Sequence, residues 1–290
     1  MSREVSRNKQ KRGSYSALYA QELANERKER FSTNRKLNEP MISVIKDKLT
    51  TEQWSPEQIV GYCNDEKINM VSHERIYQFI YQDKSEGGKL YMHLRVASKA
   101  YRKRYGKKGG KRQIIKNKVS IEDRPDIINN RMRFGDWEID TIVGKDNRGA
   151  IVTIVERKSG FILIKKLNGK NAKELAKAVI LIMLPFKFLV HSITADNGTE
   201  FAEHEHIARK LEAEFYFAHP YSSWERGLSE YSNRLVRQYI PKKTNFDEIN
   251  KHYINEIQAK LNRRPRKKVN FKTPGMVFLS RFESKVALAS

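Results

Sequence analysis

A chain of 290 residues with 39% hydrophobic residues has enough apolar material for one large packed domain and one or two small ones, which excludes a disordered tail. Lys plus Arg outnumber Asp plus Glu by 57 to 34, and a net charge of +23 points to a polyanionic partner, most simply nucleic acid. The most apolar run, residues 178–190, is interrupted by Pro185 and Lys187 and is shorter than the roughly 20 residues a bilayer needs; the N-terminus has no signal-peptide core, and the one cysteine, Cys63, excludes an internal disulfide or a Cys-rich zinc site. A reducing cytoplasm is the expected setting.

Residues 14–30 read as a helix, with Ala17, Leu18, Ala20, Leu23 and Ala24 on one broad apolar face. Residues 36–40 read as a connector that ends at a break, Pro40. Ser55-Pro56-Glu57 then opens a helix with an N-cap, a proline at the first helical position and an acid in the first turn. Ile59, Val60 and Cys63 continue its apolar face. After a polar connector, Ser72-His73-Glu74-Arg75 opens a second helix with Ile76, Phe79 and Ile80 inward. Two short helices joined this way fit a helix-turn-helix or an ordinary helical hairpin; in this basic setting the former makes Arg75 a candidate DNA contact. Residues 101–118 hold nine Lys or Arg and no acid, with Gly106, Gly109 and Gly110 breaking any helix. Such a linker suits phosphate contact through Arg102, Lys103, Arg104, Lys107 and Lys108, or serves as a solvated spacer.

From Arg131 the pattern changes. Strands are expected over residues 135–144, 150–156, 161–167, 189–194 and 214–218, and helices over 172–184, 201–213, 225–239 and 246–262. Three antiparallel strands followed by alternating helix and strand imply an α/β domain, a mixed sheet flanked by helices. The implied organisation is a remnant of an N-terminal DNA-binding region over 1–50, a helix-turn-helix region over 51–96, a basic linker over 97–130 and a catalytic core over 131–284.

Three acids stand out. In Asp136-Trp137-Glu138-Ile139-Asp140, strand period two puts the acids on one face. An acid inside an apolar strand needs a cation or a donor, unless that face is wet. Asp196 follows a short apolar strand and precedes Asn197-Gly198, a turn signal, so it sits at a strand's carboxyl end, where ligands gather; the alternative is that it caps the next helix. Glu230 lies in the first turns of a helix, with Arg234 and Arg237 on the same face, which also fits a surface ion pair with Arg234.

Asp140, Asp196 and Glu230, with 33 residues between the last two, resemble the carboxylate trio of DDE transposases and retroviral integrases. More closely, the chain resembles the insertion-sequence-thirty family of bacterial transposases. The matching stretches are Trp54-Ser55-Pro56-Glu57-Gln58-Ile59, Val71-Ser72-His73-Glu74-Arg75-Ile76-Tyr77, Gly135-Asp136-Trp137-Glu138 running to Asp140, and Ala195-Asp196-Asn197-Gly198-Thr199-Glu200-Phe201. They continue with Tyr221-Ser222-Ser223-Trp224-Glu225-Arg226-Gly227, residues 233–241, and Leu261-Asn262-Arg263-Arg264-Pro265-Arg266-Lys267. The resemblance implies an RNase H-like catalytic domain that cleaves DNA at inverted-repeat ends and transfers the strand to target DNA. It also implies two Mg2+ ions about 4 Å apart, replaceable by Mn2+, with Asp140 bridging both and Asp196 and Glu230 holding one each. Arg237 would steady a phosphate, and Trp224 would stack on a base or serve the core. A homo-oligomer on double-stranded DNA is expected, since two ends must be held together. His204 and His206 diverge on a helix and read as surface residues.

The chain departs from the family in two places. Residues 2–8 look like the end of a further helix-turn-helix whose remainder is missing, so a truncated, catalytically silent DNA-binding relative that represses transposition is the alternative expectation. Around Glu230, Ser229, Tyr231 and Arg234 replace the family's usual Asn, Asn and Gly, and Arg234 is expected either to pair with Glu230 or to reach DNA phosphate.

Overall fold

The computed structural model describes residues 5, 7–8, 15–33, 37–95, 115–167, 171–220 and 222–289, and it divides into two compact units, Met1–His93 and Leu94–Ser290. The first is helical: α1 (Ala17–Thr33), α2 (Glu39–Thr50), α3 (Pro56–Asp65) and α4 (His73–Ser85), closed by a 3-10 turn at Leu90–His93. Pro40, expected to break the chain, instead lies in the first turn of α2. Proline suits the first turn because its missing N–H has no helical partner there, and the Asn38 side chain caps the helix by accepting the Met41 N–H. The apolar faces read in α3 and α4 join Met41, Ile45 and Leu49 of α2 in one core with Trp54, Ile59, Cys63, Ile76 and Ile80.

The second unit is a mixed sheet flanked by helices. Its strands are β1 (Val119–Ser120), β2 (Asp136–Val143), β3 (Ala150–Glu156), β4 (Ile162–Leu167), β5 (Ser192–Ala195) and β6 (Glu214–Phe217), in the order β1-β6-β5-β2-β3-β4. β2, β3 and β4 pair antiparallel, whereas β5 runs parallel to β2 and β6, and β1 runs parallel to β6. The helices are a short turn α5 (Asp126–Asn129), then α6 (Ala172–Met183), α7 (His204–Leu211), α8 (Gly227–Tyr239), α9 (Lys251–Arg263) and α10 (Pro274–Ala289).

Alternation along β3 explains the two layers. Ala150, Val152 and Ile154 pack with Trp137, Ile139 and the apolar faces of α6 and α7, while Ile151 and Val155 pack with Ile142 and those of α8 and α9. A strand buried on both faces requires helices on both. Two of the three acids of β2 therefore do not face water. Asp136 and Glu138 are fully buried on the α8 side; Arg133 and the Ser192 hydroxyl satisfy Asp136 at 3.0 and 2.7 Å.

The chain departs from its sequence pattern in four places. Residues 184–189 form a 3-10 segment around Pro185, so β5 begins at Ser192 rather than at 189. Part of the expected linker folds onto the sheet as β1 and α5, with Arg124 buried against the Thr194 hydroxyl at 3.1 Å. α10 buries Phe278, which stacks on Phe161 at 4.4 Å. His204 is buried rather than exposed, edge-on to Phe217, with its Nε2 3.3 Å from the Asn117 carbonyl. No helix among the described residues is long and apolar enough to cross a membrane.

Candidate active site

The β2–β5 register brings two of the three acids together. Asp136 pairs with Ser192 and Glu138 with Thr194, so the next same-face positions are Asp140 and Asp196, just past the carboxyl end of β5. A single guanidinium lies against both. Arg226, itself buried, places Nη1 3.7 Å from Asp140 Oδ1 and Nη2 3.4 Å from Asp196 Oδ2, and donates to the Ile139 carbonyl at 3.2 Å. Sequence reading gave Arg226 no role, because nothing in a run of Glu-Arg-Gly tells where the side chain will point.

Each carboxylate is also held locally. Asp140 accepts the Thr141 N–H at 2.9 Å and the Asn233 amide at 2.8 Å, and Asn233 is fixed in turn by the Thr153 hydroxyl at 2.8 Å. Asp196 accepts the Gly198 N–H at 2.9 Å, so it closes a turn rather than capping α7. A side chain at Gly198 would crowd both acids, since a Cβ there would lie 2.4 Å from a Glu200 oxygen and 2.9 Å from Asp196 Oδ1. Glu200 is buried and receives the Thr141 hydroxyl at 2.8 Å. Burial pushes Asp140 up to about 6; Arg226 opposes this and the charges of Asp196 and Glu200 reinforce it.

Glu230 stands apart. It is exposed in the first turn of α8, and no group of three acid, histidine or cysteine side chains close enough to hold a metal ion occurs among the described residues. Its backbone is nonetheless fixed relative to the other two acids. Glu138 receives the Ser229 N–H at 2.9 Å and the Arg157 guanidinium at 2.6 Å, so a buried carboxylate pins the amino end of α8. Asn233, one turn beyond Glu230, ties the same helix to Asp140. Arg234 does not pair with Glu230; its guanidinium lies 5.7 Å from the Tyr231 ring centre.

Comparison with known proteins follows the same lines. The chain is 48% identical over 277 residues to the transposase for insertion sequence element IS4351 of Bacteroides fragilis, covering 95% of this chain and 84% of that one. It is 35% identical to the transposase InsI for insertion sequence element IS30A of Escherichia coli K12, covering 94% and 73%. The chain belongs to the IS30 family of transposases, enzymes that cut and join DNA. Cupriavidus metallidurans has another relative, the transposase for insertion sequence element IS1086, at 33% identity over 94% of this chain. No family model matches the chain. Among solved structures, the catalytic core domain of BIV integrase aligns over 53% of this chain and 99% of its own, with a TM-score of 0.41 and 20% identity.

Of the other residues singled out in the sequence, Trp224 is 74% exposed just ahead of Arg226, which removes its core alternative. Arg237 donates to the Val143 and Pro241 carbonyls at 2.9 and 3.2 Å, tying α8 to the end of β2. Arg75 is exposed in the first turn of α4 and donates to Gln78 at 3.1 Å. Arg102, Lys103, Arg104, Lys107 and Lys108 lie outside the described residues.

Proposed function

We propose that this transposase cleaves DNA at the inverted-repeat ends of an insertion sequence and joins the freed strand to target DNA, with Asp140, Asp196 and Glu230 holding divalent metal, Mg2+ or in its place Mn2+. What carries this reading is the pairing of Asp140 and Asp196 around one guanidinium: two carboxylates brought side by side already share a positive charge. The donor set fits a hard cation, since it offers carboxylate oxygens and neither His nor Cys. Bound there, metal would polarise the scissile phosphate and ease deprotonation of the attacking water or 3′-hydroxyl.

The chain's own residues do the rest. Thr141 and Asn233 fix the Asp140 carboxylate, and Glu138 fixes the start of α8, the helix that carries Glu230. Arg226 balances the charge of the two acids. Trp224, exposed two residues ahead of Arg226, offers an apolar face to a base at the cut end. The enzyme acts in the cytoplasm on double-stranded DNA, as a homo-oligomer that holds two element ends. The test is cleavage and joining of a labelled element end with Mg2+, Mn2+ or chelator. Metal-dependent products, lost in Asp196→Asn, support the reading; chelator-resistant cutting contradicts it, and DNA binding without products under any metal favours a silent binder.

A further inference from the structure

The motif Leu261-Asn262-Arg263-Arg264-Pro265-Arg266 has no part in the carboxylate site, yet it builds an unusual cluster. Arg264 is fully buried at the end of α9; it donates to the Tyr239 hydroxyl at 2.6 Å and to Gln238 at 3.2 Å, and its Nε has no partner. Arg266 donates to the Tyr231 hydroxyl at 3.3 Å, and Arg95 reaches the same hydroxyl at 3.1 Å. Arg95 leaves two buried nitrogens, Nε and Nη2, unpartnered.

Among the described residues no carboxylate balances this charge. Among the described residues none of the three arginines forms an ion pair with an acid, and the sequence holds no Asp or Glu between Glu86 and Glu122 or between Glu256 and Glu283. Burial, together with repulsion from the neighbouring arginines, holds Arg264 and Arg266 below the usual arginine range. Buried cations without a counter-charge are costly, and guanidinium forks match the oxygens of a phosphate. Tyr231 follows Glu230 directly on α8, so the cluster flanks the candidate catalytic helix.

We propose that Arg95, Arg264 and Arg266, gathered on Tyr231 and Tyr239, form a pocket for one phosphodiester of the DNA backbone and so align the strand alongside the carboxylate site. The proposal rests on the transposase reading and adds to it a positioning site. Arg264 forms the floor beside the two unpartnered nitrogens of Arg95, while Arg266, half-buried, also donates to the Leu261 carbonyl at 3.3 Å.

The experiment measures binding of the full chain to a duplex element end, in chelator, across a salt series. Arg95→Gln and, independently, Arg266→Gln should each weaken binding about tenfold and lower the slope of log K against log salt by about one, the signature of one lost phosphate contact. Lys210→Gln, an exposed charge on α7, serves as the comparison, and Arg266→Lys should recover only part of the loss because it keeps the charge without the fork. Melting temperatures of the variants identify any that fail to fold, and either glutamine variant alone suffices. Slopes no different from that of Lys210→Gln would overturn the proposal. So would stabilisation by inorganic phosphate that both glutamine variants lose while their DNA slopes stay unchanged, because the pocket would then serve a free anion. Failure of the carboxylate reading shows separately, as cleavage that survives Asp196→Asn.

Discussion

Replacing Asp140 by Asn is expected to stabilise the metal-free catalytic unit while ending its chemistry. Burial, opposed by Arg226 and reinforced by Asp196 and Glu200, lifts Asp140 from 3.8 to about 6. A folded-state pKa above the unfolded one means the folded chain keeps its proton longer. Stability is therefore fully present in acid, falls as pH rises from 3.8 through about 6, and stays lower above that window. Two units at about 1.4 kcal/mol each give a penalty of about 3 kcal/mol at neutral pH. The side chain retains 21% exposure, and Asn gives up the contact with Arg226, so a net gain of about 2 kcal/mol is the working figure. An asparagine keeps an oxygen for the Asn233 amide and carries no charge. Urea unfolding in chelator, read from Trp137 with Trp54→Phe and Trp224→Phe in the background, measures it. The gain at about pH 7.5 should exceed that at about pH 5 by about 1 kcal/mol, since the wild-type acid is largely protonated at the lower pH. A loss of stability, or an equal gain at both pH values, would refute the reasoning.

Three further outcomes follow from the same contacts. Arg226→Gln removes the cation that holds Asp140 down, so the acid limb of the cleavage pH–rate profile should move upward by about one unit; an unmoved limb would show that Arg226 and Asp140 are not coupled. Phe278→Ala empties the stack between α10 and Phe161 and should cost about 3 to 4 kcal/mol in urea unfolding. Trp224→Ala should change stability by less than about 0.5 kcal/mol, because the ring is exposed, yet weaken anisotropy-measured binding to an element end with unpaired terminal bases by about tenfold.

The sequence carried the sheet well. β2, β3 and β4 have strict alternation between two buried faces, and β5 and β6 are short apolar runs that end at polar turns. It carried the positions of Asp140 and Asp196 too, since an acid in an apolar strand and an acid at a strand end are local signals. It failed where structure depends on distant partners. β1 is two residues long and exists only by pairing with β6. α10 packs on Phe161 and Trp137, far off in sequence. Arg226 became part of the site through its direction, which its local sequence does not signal. His204 looked exposed because its neighbours Phe215 and Phe217 come from another strand. Pro40 was misread by rule: proline ends a helix interior but begins a first turn.

Glu230 is the acid that the structure leaves outside the pair, so it bears most directly on the three-carboxylate account. The decisive measurement is single-turnover cleavage of a labelled element end by Glu230→Gln, beside Asp140→Asn and Asp196→Asn, with DNA affinity measured in parallel. All three should fall by about a hundredfold or more while still binding DNA, as loss of any metal ligand requires. Cleavage by Glu230→Gln at the wild-type rate would contradict the account and leave Asp140 and Asp196 to act without it.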